Sequence, residues 1–358
     1  MKKIHIVHII PTLGFGGAER FVIDLANNYD EKRFDTTIII LQNYTPLKKE
    51  LKRGVRIVFV EKKGKISLSL FKSLKKKLKS LNPDVVHTHL FGGDFWGRFV
   101  AHRLGFPVVT TEHNINTDES FFKKHIKILM KNWSDVYTAP SKAVVDFMKH
   151  EYKLEKPVHK IRHGIQLSRF TKTKPAQIKK NFKLLILGRL AEQKGHKVAL
   201  SALAGLKGFK WQMTMVGSGD KEKEILLFAK SLGIDDRIKI EKPTTNVSEL
   251  LKNFNIMIVP SLWEGLGIVA MEGMASGRVV IASAVDGLTE VVRDEETGLL
   301  FEKGRYDDLR AKLHWLFNHP HAGEELAKKA KVFAAAHFGV EEMVRQYEEI
   351  YLSLVRKN

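Results

Sequence analysis

A glycine turn joins a short apolar run to an apolar helix in the last third of the sequence. The run covers residues 256–260, the turn is Gly265-Leu266-Gly267, and the helical pattern follows it. The N–H groups of a first helical turn point outward at the positive end of the helix dipole. The stretch from residue 261 to 283 therefore predicts a buried strand, a helix, and an anion-binding site where the two meet.

Two glutamates flank this turn. Glu264 stands just before it, and Glu272 lies eight positions later, inside the helix. A glutamate that ends a strand is usually a solvated residue, and one near a helix start is commonly a partner of the dipole. These local grounds support the structural and the ligand-binding interpretation equally, so the choice depends on the other motifs.

Short β-rich runs alternate with helical patterns along the chain. This alternation is typical of βαβ units and of parallel sheets with helices on both faces. The length of 358 residues fits two domains. We predict an α/β protein of two Rossmann-like, doubly wound domains, residues 1–165 and 166–339, with the lysine-rich segment 168–180 as the linker. Strands are predicted at residues 3–10, 36–41, 55–60, 84–89, 107–111, 136–139, 158–161, 182–187, 211–216, 237–240, 256–260 and 279–282.

The net charge is +20, and most of the excess lies in the first half, densest between Lys48 and Lys79. Such a field favours an anionic partner, either a membrane surface or a polyanion. Residues 66–81 carry a leucine-rich stripe with lysines elsewhere. We predict that the stripe packs on the sheet and the lysines face solvent, and contact of the lysines with anionic lipid headgroups is the second hypothesis.

Several classes of protein are disfavoured by composition. The chain has no cysteine, which excludes disulfides and Cys-ligated metals and suits a reducing compartment. The start MKKIHIVHII lacks the features of a signal peptide, so we expect no export. No apolar run approaches the roughly 20 residues that a membrane-spanning helix needs.

A glycine-rich segment follows the first predicted strand. Gly14, Gly16 and Gly17 resemble a Rossmann fingerprint, but the spacing is G-x-G-G and no acidic residue closes the next strand. A dinucleotide site is therefore not predicted. The glycines indicate either a plain tight turn or a close approach of the backbone to a ligand.

Two cations follow the first strand of the second series, in Gly188-Arg189-Leu190 and Lys194-Gly195. Arg189 can bind a diphosphate through its planar fork, and Lys194 can act as a point charge. Any single cation of so basic a chain can be a solvated surface residue. The presence of both around one strand-to-helix turn favours a functional role.

His87 and His89 alternate along the fourth strand, and His113 ends the fifth. Residues two apart on a strand lie on one face, but too few other ligands surround these two for a metal, and we predict none. His113, at the carboxyl end of a strand, is placed to touch a substrate.

Taken together, these motifs resemble those of glycosyltransferase family 4, retaining enzymes of the GT-B fold, over essentially the whole chain. The likeness is carried by Gly16-Gly17-Ala18-Glu19, Thr111-Glu112-His113, Gly188-Arg189-Leu190 with Lys194-Gly195, and above all Pro260-Ser261 followed by Glu264-Gly265-Leu266-Gly267 and Glu272. The resemblance implies two domains that face each other across a cleft. It also implies that the C-terminal helix, residues 340–358, packs back on the first domain.

The resemblance further implies how the donor nucleotide is bound. Glu272 would bind the ribose hydroxyls, and Arg189 and Lys194 the diphosphate, with Gly16 and Gly17 near the phosphates or the acceptor. Fixed cations and helix-end amides can stabilise the charge that develops on a leaving diphosphate without a metal. The sequence contains no Asp-x-Asp pair, which metal-dependent glycosyltransferase families usually show. We therefore expect neither a metal nor another cofactor.

The resemblance also implies a sugar site. Glu264 and the backbone of Gly265, Leu266 and Gly267 would hold the transferred sugar, with His113 beside the reacting carbon. Retention of configuration is implied by the family, and because no carboxylate nucleophile is identifiable, we expect a front-face mechanism.

The sequence departs from the family pattern at three places: His163-Gly164-Ile165-Gln166 replaces the usual Asn-Gly-Ile-Asp, and Gly273 and Arg278 replace an alanine and a proline. These departures bear on donor preference more than on activity.

The sequence thus predicts a hexosyltransferase that uses a UDP- or GDP-sugar in cell-surface polysaccharide or lipopolysaccharide biosynthesis. The expected acceptor is a glycan or a lipid-linked acceptor. The expected location is the cytoplasm, with the protein bound peripherally to the inner face of the cytoplasmic membrane. The alternatives are the same chemistry on a soluble small-molecule acceptor, or a non-enzymatic polyanion-binding protein. Nucleic acid is not an expected partner, because the basic run lacks a recognition helix and aromatic-studded strands.

Overall fold

Nearly continuous apolar runs form the strands, because helices cover each sheet on both faces. The computed structural model describes residues 2–61, 68–178 and 181–356. The chain divides into two units: Met1–Gly164 with Val340–Asn358, and Ile165–Gly339. Each is an α/β unit built on a parallel sheet, which confirms the predicted fold class.

The first unit holds a seven-stranded sheet within the described residues. Its strands are β1 (Ile4–Ile10), β2 (Phe34–Ile40), β3 (Arg56–Phe59), β4 (Val85–His89), β5 (Val108–Thr111), β6 (Val136–Ala139) and β7 (Val158–Lys160). Its helices are α1 (Gly17–Asn28), α2 (Leu68–Leu81), α3 (Leu90–Arg103), α4 (Phe121–Leu129), α5 (Lys142–Glu151) and α12 (Val340–Arg356). The strand order is β3-β2-β1-β4-β5-β6-β7, and all neighbours are parallel.

Alternate residues of β1 enter two different cores. Ile6 and Ile10 pack in the cluster that contains α1 and α12, whereas Val7 and Ile9 pack with α2 and α3. The stripe predicted on α2 lies in the second of these clusters, and most lysines of the helix are exposed. This confirms the structural interpretation of the stripe. Residues 62–67, which include the start of that predicted helix, lie outside the described residues.

The last helix, α12, packs in the first unit. Tyr347 and Tyr351 are fully buried there. The Tyr351 hydroxyl lies 2.9 Å from the Tyr29 hydroxyl and 2.7 Å from Nδ1 of His87. The final segment of the chain therefore completes the core of the first unit, while Ile165–Gly339 forms the second.

The second unit holds a six-stranded parallel sheet within the described residues. Its strands are β8 (Asn181–Leu187), β9 (Lys210–Val216), β10 (Ile238–Glu241), β11 (Ile256–Val259), β12 (Val279–Ser283) and β13 (Leu299–Phe301). Its helices are α6 (His196–Ala204), α7 (Glu222–Ser231), α8 (Val247–Leu251), α9 (Ile268–Ala275), α10 (Tyr306–Asn318) and α11 (Pro320–His337). The strand order is β10-β9-β8-β11-β12-β13.

The prediction that residues 168–180 form a linker between the domains is wrong. Its described part, residues 168–178, belongs to the second unit. Phe170 is buried in that unit's core, and the Arg278 guanidinium donates a hydrogen bond to the Lys174 carbonyl. Lys172 and Lys174 are exposed, so the composition of the segment indicates a linker although buried residues beside them anchor it. Strand β13, of only three residues, was not predicted.

Each sheet reverses its strand order beside its first strand. The chain moves from β1 outward to β3 and then returns to β4 on the other side of β1, and β8 and β11 are related in the same way. Ligands of doubly wound sheets bind beyond the carboxyl ends of the strands at such switch points. The segments that follow β1, β4, β8 and β11 are therefore the first places to look for a site.

Candidate active site

Gly195 brings two of these segments together in the second unit. Its φ is +59°, a left-handed conformation that favours glycine. A Cβ at this position would lie 1.9 Å from the carbonyl oxygen of Pro260, which follows β11. Only a residue without a side chain allows this approach, so the segment after β8 is held against the end of β11.

The charged side chains of the two segments form one connected group. Nζ of Lys194 lies 2.5 Å from Oε2 of Glu264, and both side chains are largely buried, 14% and 13% exposed. The Ser261 hydroxyl donates to the same carboxylate oxygen over 3.1 Å. Arg189 donates to Oε1 of Gln193 over 2.8 Å, and Gln193 donates to a backbone carbonyl beside Glu264 over 3.0 Å. The structure thus brings Arg189, Lys194 and Glu264 together.

A turn after β12 holds the backbone of Glu264 from both sides. The Glu264 N–H donates to Oδ2 of Asp286 over 3.2 Å, and the Gly287 N–H donates to the Glu264 carbonyl over 3.2 Å. Burial raises the pKa of Asp286. Sequence analysis missed this residue, although a carboxylate just beyond a buried strand was a usable signal.

The glycine turn lies where the sequence predicts it, between β11 and α9. Gly265, Leu266 and Gly267 are buried, and Gly267 has a φ of +85°. A Cβ on Gly267 would lie 2.3 Å from a methyl carbon of Leu288. Glu272 lies inside α9 and is 7% exposed. The turn and the helix are therefore as tightly packed as a core element.

In the first unit, Gly16 and Gly17 lie at the start of α1, just beyond β1. Gly16 has an extended backbone that any residue adopts. A Cβ there would come within 2.3 Å of Oε2 of Glu19, the end of a flexible side chain that accepts a hydrogen bond from Thr12. Local geometry therefore does not require glycine at position 16.

His113 follows β5 in the same unit. Its Nε2 lies 3.1 Å from Nδ1 of His89, and its Nδ1 is buried without a hydrogen-bond partner in the described part of the chain. His163 lies close by, with a ring-centroid distance of 5.2 Å, and its Nε2 is buried in the same state. Burial, and next the charge of a protonated His163, lowers the pKa of His113 well below its usual value. Burial thus keeps the imidazoles of His113 and His163 neutral, and each has one ring nitrogen without a hydrogen-bond partner in the described residues.

Two family models match the chain. A model of the glycosyl transferases group 1 matches residues 168–336, and a model of glycosyltransferase family 4 matches residues 15–169. The chain belongs to these glycosyltransferases. It is therefore an enzyme, a hexosyltransferase, as the motifs predicted.

Curated relatives and a solved structure agree with this assignment. The glycosyltransferase is 25% identical over 336 residues to the UDP-Gal:alpha-D-GlcNAc-diphosphoundecaprenol alpha-1,3-galactosyltransferase of Escherichia coli. This alignment covers 86% of each chain. The enzyme is 25% identical over 303 residues to the N-acetyl-alpha-D-glucosaminyl L-malate synthase of Bacillus anthracis. This alignment covers 81% of this chain and 80% of the relative. The crystal structure of Anabaena Alr3699/HepE with UDP-glucose has a TM-score of 0.87 at 20% identity and covers 98% and 100% of the two chains. The structural likeness shows the GT-B fold.

A cluster of three histidines in the glycosyltransferase is a possible ligand set that sequence analysis missed. His8 pairs in register with His87 on the neighbouring strand, and with His89 they place three nitrogens within 4.8 Å of one another. Within the described residues, however, each ring nitrogen of the three already has a hydrogen-bond partner. Burial lowers the pKa of all three histidines. The cluster therefore fits a neutral, hydrogen-bonded polar core better than a metal site.

Replacement of Gly195 by alanine tests the contact that assembles the second unit's site. A left-handed alanine costs about 1–2 kcal/mol, and the overlap with Pro260 adds to that cost. We expect Gly195→Ala to lower the free energy of unfolding, measured in urea, by at least that amount. The control is Gly208→Ala, because no atom lies within 4 Å of a Cβ at Gly208. Equal stability of the two variants would contradict the argument.

The buried histidines predict a pH dependence of stability. Burial lowers the pKa of His163 to about 3, below the roughly 6.5 of an unfolded chain. The unfolded state therefore binds more protons between these values, so stability is full above pH 6.5 and falls as the pH decreases toward 3. In urea titrations we expect His163→Asn to remove about 2 kcal/mol of the loss between pH 7 and 5.

The matched control is His150→Asn, since His150 is exposed on α5 of the same unit. Its stability should follow the wild-type pH profile. Parallel profiles for wild type and His163→Asn would show that His163 is not held neutral by burial.

Proposed function

We propose that the enzyme transfers a hexose from a UDP- or GDP-sugar with retention of configuration and without a metal ion. The observation that carries this proposal is the group formed by Arg189, Lys194 and Glu264 at the carboxyl ends of β8 and β11, beside the N-terminus of α9. A nucleoside diphosphate needs fixed cations and helix-end amides, and a sugar needs a carboxylate acceptor. The second unit supplies all of these. The UDP-glucose bound to the Anabaena neighbour supports the same class of donor.

In this proposal Arg189 and Lys194 differ in how exposed and how fully hydrogen-bonded their side chains are. Arg189 is exposed, and its guanidinium has one hydrogen bond, to Gln193, in the described structure, so its other donors can reach phosphate oxygens. Lys194 is largely buried and paired with Glu264. Lys194 would share its charge between that carboxylate and the diphosphate, while Glu272 would bind the ribose hydroxyls. Gly16 and Gly17 would approach the phosphates or the acceptor.

Retention would proceed on one face of the sugar. The Glu264 carboxylate already accepts from Lys194 and from Ser261, which suits a group that binds hydroxyls better than a nucleophile. We propose that the bond from the anomeric carbon to the phosphate oxygen breaks while the acceptor hydroxyl oxygen bonds to the same face. The acceptor proton then passes to the leaving phosphate oxygen. A trapped covalent glycosyl-enzyme would contradict this mechanism.

The proposed acceptor is a glycan or a lipid-linked sugar in cell-surface polysaccharide or lipopolysaccharide assembly. The Escherichia coli relative acts, by its name, on a diphosphoundecaprenol-linked sugar. None of the helices in the described residues is long and apolar enough to cross a membrane. Helix α4, however, exposes Phe121, Phe122 and Leu129, with Lys123 exposed beside them. Apolar side chains next to cations suit binding at the anionic inner face of the cytoplasmic membrane.

A soluble acceptor is the second candidate. The Bacillus anthracis relative makes, by its name, N-acetyl-alpha-D-glucosaminyl L-malate, and L-malate is a small soluble acid. Membership of the glycosyltransferases counts against the third candidate, a non-enzymatic polyanion-binding protein. Transfer of radiolabelled sugar to a lipid extract or to a soluble extract would distinguish the first two.

Donor binding can be tested through thermal stability. Ligand that binds only the folded state raises the unfolding midpoint, so we expect UDP or GDP to raise it for the wild-type enzyme. Arg189→Ala should weaken nucleotide binding roughly tenfold to a hundredfold, because hydrogen bonds to charged groups contribute about 1.5–3 kcal/mol each. Its midpoint without ligand should stay near that of wild type, since Arg189 is exposed. Glu272→Gln should lose most of the shift.

The control for this screen is Lys239→Ala, whose side chain is 71% exposed on β10. It should bind nucleotide like the wild type. A shift that survives unchanged in both Arg189→Ala and Glu272→Gln would overturn the proposed donor site.

Membrane binding can be tested by flotation with vesicles. Loss of two exposed phenylalanines removes apolar area that would enter the headgroup region, so Phe121→Ser with Phe122→Ser should reduce binding to anionic vesicles at least tenfold. Leu227→Ser, which changes a 58% exposed residue of the second unit, should bind like the wild type. Equal binding of wild type to anionic and to zwitterionic vesicles, or none to either, would exclude the anionic surface as a partner.

A further inference from the structure

A single file of hydrogen bonds runs through the core of the first unit and ends at His113. Nε2 of His113 lies 3.1 Å from Nδ1 of His89. Nε2 of His89 lies 3.0 Å from Nδ1 of His8, and Nε2 of His8 lies 3.2 Å from the Tyr29 hydroxyl. Each of these contacts uses one nitrogen of a ring, so the path has no branch up to this point.

The file continues through the last helix. The Tyr29 hydroxyl lies 2.9 Å from that of Tyr351 on α12, and the Tyr351 hydroxyl lies 2.7 Å from Nδ1 of His87. Nε2 of His87 lies 2.6 Å from Oγ1 of Thr111. Tyr29, Tyr351 and His87 are at most 5% exposed. The C-terminal helix therefore connects the three histidines His113, His89 and His8 to His87.

All histidines of the file are neutral at neutral pH. Burial lowers the pKa of His8 to about 3, and it lowers the pKa of His87, His89 and His113 well below the usual value. A neutral imidazole carries one N–H donor and one bare acceptor nitrogen. A ring that donates on one side must accept on the other, and each hydroxyl has a single proton to donate. When every contact of the file is made, the direction of one hydrogen bond therefore sets the direction of all.

The far end of the file decides that direction. Thr111, Thr138 and Tyr347 form a triangle of hydroxyls with separations of 2.6, 3.2 and 3.0 Å. If His87 donates from Nε2, the three hydroxyls can donate around the triangle, and all four contacts are hydrogen bonds. If Nε2 of His87 instead accepts from Thr111, only three hydroxyl protons are available for these four contacts. One hydrogen bond is then not formed. The difference is about 1 kcal/mol, roughly a fivefold to tenfold preference for donation by His87.

We propose that this file holds His113 as the Nε2–H tautomer, with Nδ1 as a bare acceptor, and that Tyr351 is the positioning residue that transmits this choice. Donation by His87 makes Tyr351 donate to His87, Tyr29 donate to Tyr351, and His8 donate to Tyr29. His89 then donates to His8, and His113 donates to His89. The one nitrogen of the file without a partner in the described residues, Nδ1 of His113, is left with a lone pair.

A bare nitrogen accepts from a hydroxyl and repels the oxygen of a phosphate or carboxylate. Nδ1 of His113 is thus suited to a sugar hydroxyl and unsuited to the diphosphate. This assignment of a ligand depends on the proposed function, whereas the tautomer itself does not. The charge-neutral file would orient the hydroxyl of a bound sugar while adding no charge to the site.

The tautomer can be measured directly on the full-length protein without any substrate. Long-range proton–nitrogen NMR spectra of protein labelled with ¹⁵N-histidine distinguish Nδ1–H from Nε2–H rings, and His113→Asn assigns the signal of His113. In wild type we expect His113 to carry its proton on Nε2. In Tyr351→Phe the three contacts from His113 to Tyr29 can be made in either direction, and each direction leaves one proton without an acceptor, either on the Tyr29 hydroxyl or on Nδ1 of His113. The preference for Nε2–H on His113 should therefore be lost, and both tautomers should be seen.

Tyr137→Phe is the matched control. Tyr137 is buried in the same unit, and its hydroxyl bonds to the Lys131 carbonyl and to Arg98, outside the file. The tautomer of His113 should be unchanged in this variant, whatever its effect on stability. A wild-type His113 protonated on Nδ1, or a Tyr351→Phe variant that keeps the wild-type preference for Nε2–H, would overturn the proposal.

Activity then separates this proposal from the proposed function. If transfer is detected, Tyr351→Phe should lower kcat about twofold relative to Tyr137→Phe, because the fraction of His113 that carries Nδ1–H cannot accept from a hydroxyl. A changed tautomer population with unchanged kcat would leave the file intact and remove the hydroxyl role of His113. Absence of any transfer by wild type would count against the proposed function alone.

Discussion

The contact of the Gly195 backbone with the carbonyl of Pro260 is the constraint on which the second unit's site depends. It leaves no space for a side chain, and it sets Lys194 beside Glu264. Both side chains are largely removed from water, a state that is costly for an unpaired charge and tolerable for a hydrogen-bonded pair. Each residue therefore keeps the other in place before any ligand arrives. In the proposed function, a diphosphate would meet a cation that is already positioned.

Local signals predicted most of the fold. Apolar runs, glycine turns and helical stripes are properties of neighbouring residues, and they located the strands and the strand-turn-helix around Glu264 correctly. The errors concern contacts between distant residues. Segment 168–178 is anchored by Arg278, Asp286 supports Glu264 from another strand, and His8 meets His87 across 79 positions. Periodicity tells which face of a strand a side chain occupies, but it does not tell which strand lies next to it.

The last helix, α12, contributes hydrogen bonds to the polar core of the first unit as well as apolar packing. Phenylalanine at position 351 would fill the same space, but Nδ1 of His87 and the Tyr29 hydroxyl would each lose a partner. A buried polar group without a partner costs about 1–3 kcal/mol, so these hydroxyls and imidazoles must be satisfied together. The last helix thus supplies a hydrogen bond to His87, which lies 264 positions earlier in the sequence.

The two units also divide the electrostatics in a way that the overall charge conceals. The first half of the sequence is the more basic, yet the histidine cluster in its core is neutral because burial disfavours protonation. The second half is less basic, yet it gathers Arg189 and Lys194 in the segment that follows β8, next to the end of the adjacent strand β11. Net charge therefore describes the surface of each unit, whereas the charge at each candidate site is set by burial and by the contacts of the side chains there. In the proposed function, the cations of the second unit would suit a leaving diphosphate, and the uncharged acceptor nitrogen of His113 would suit a sugar hydroxyl.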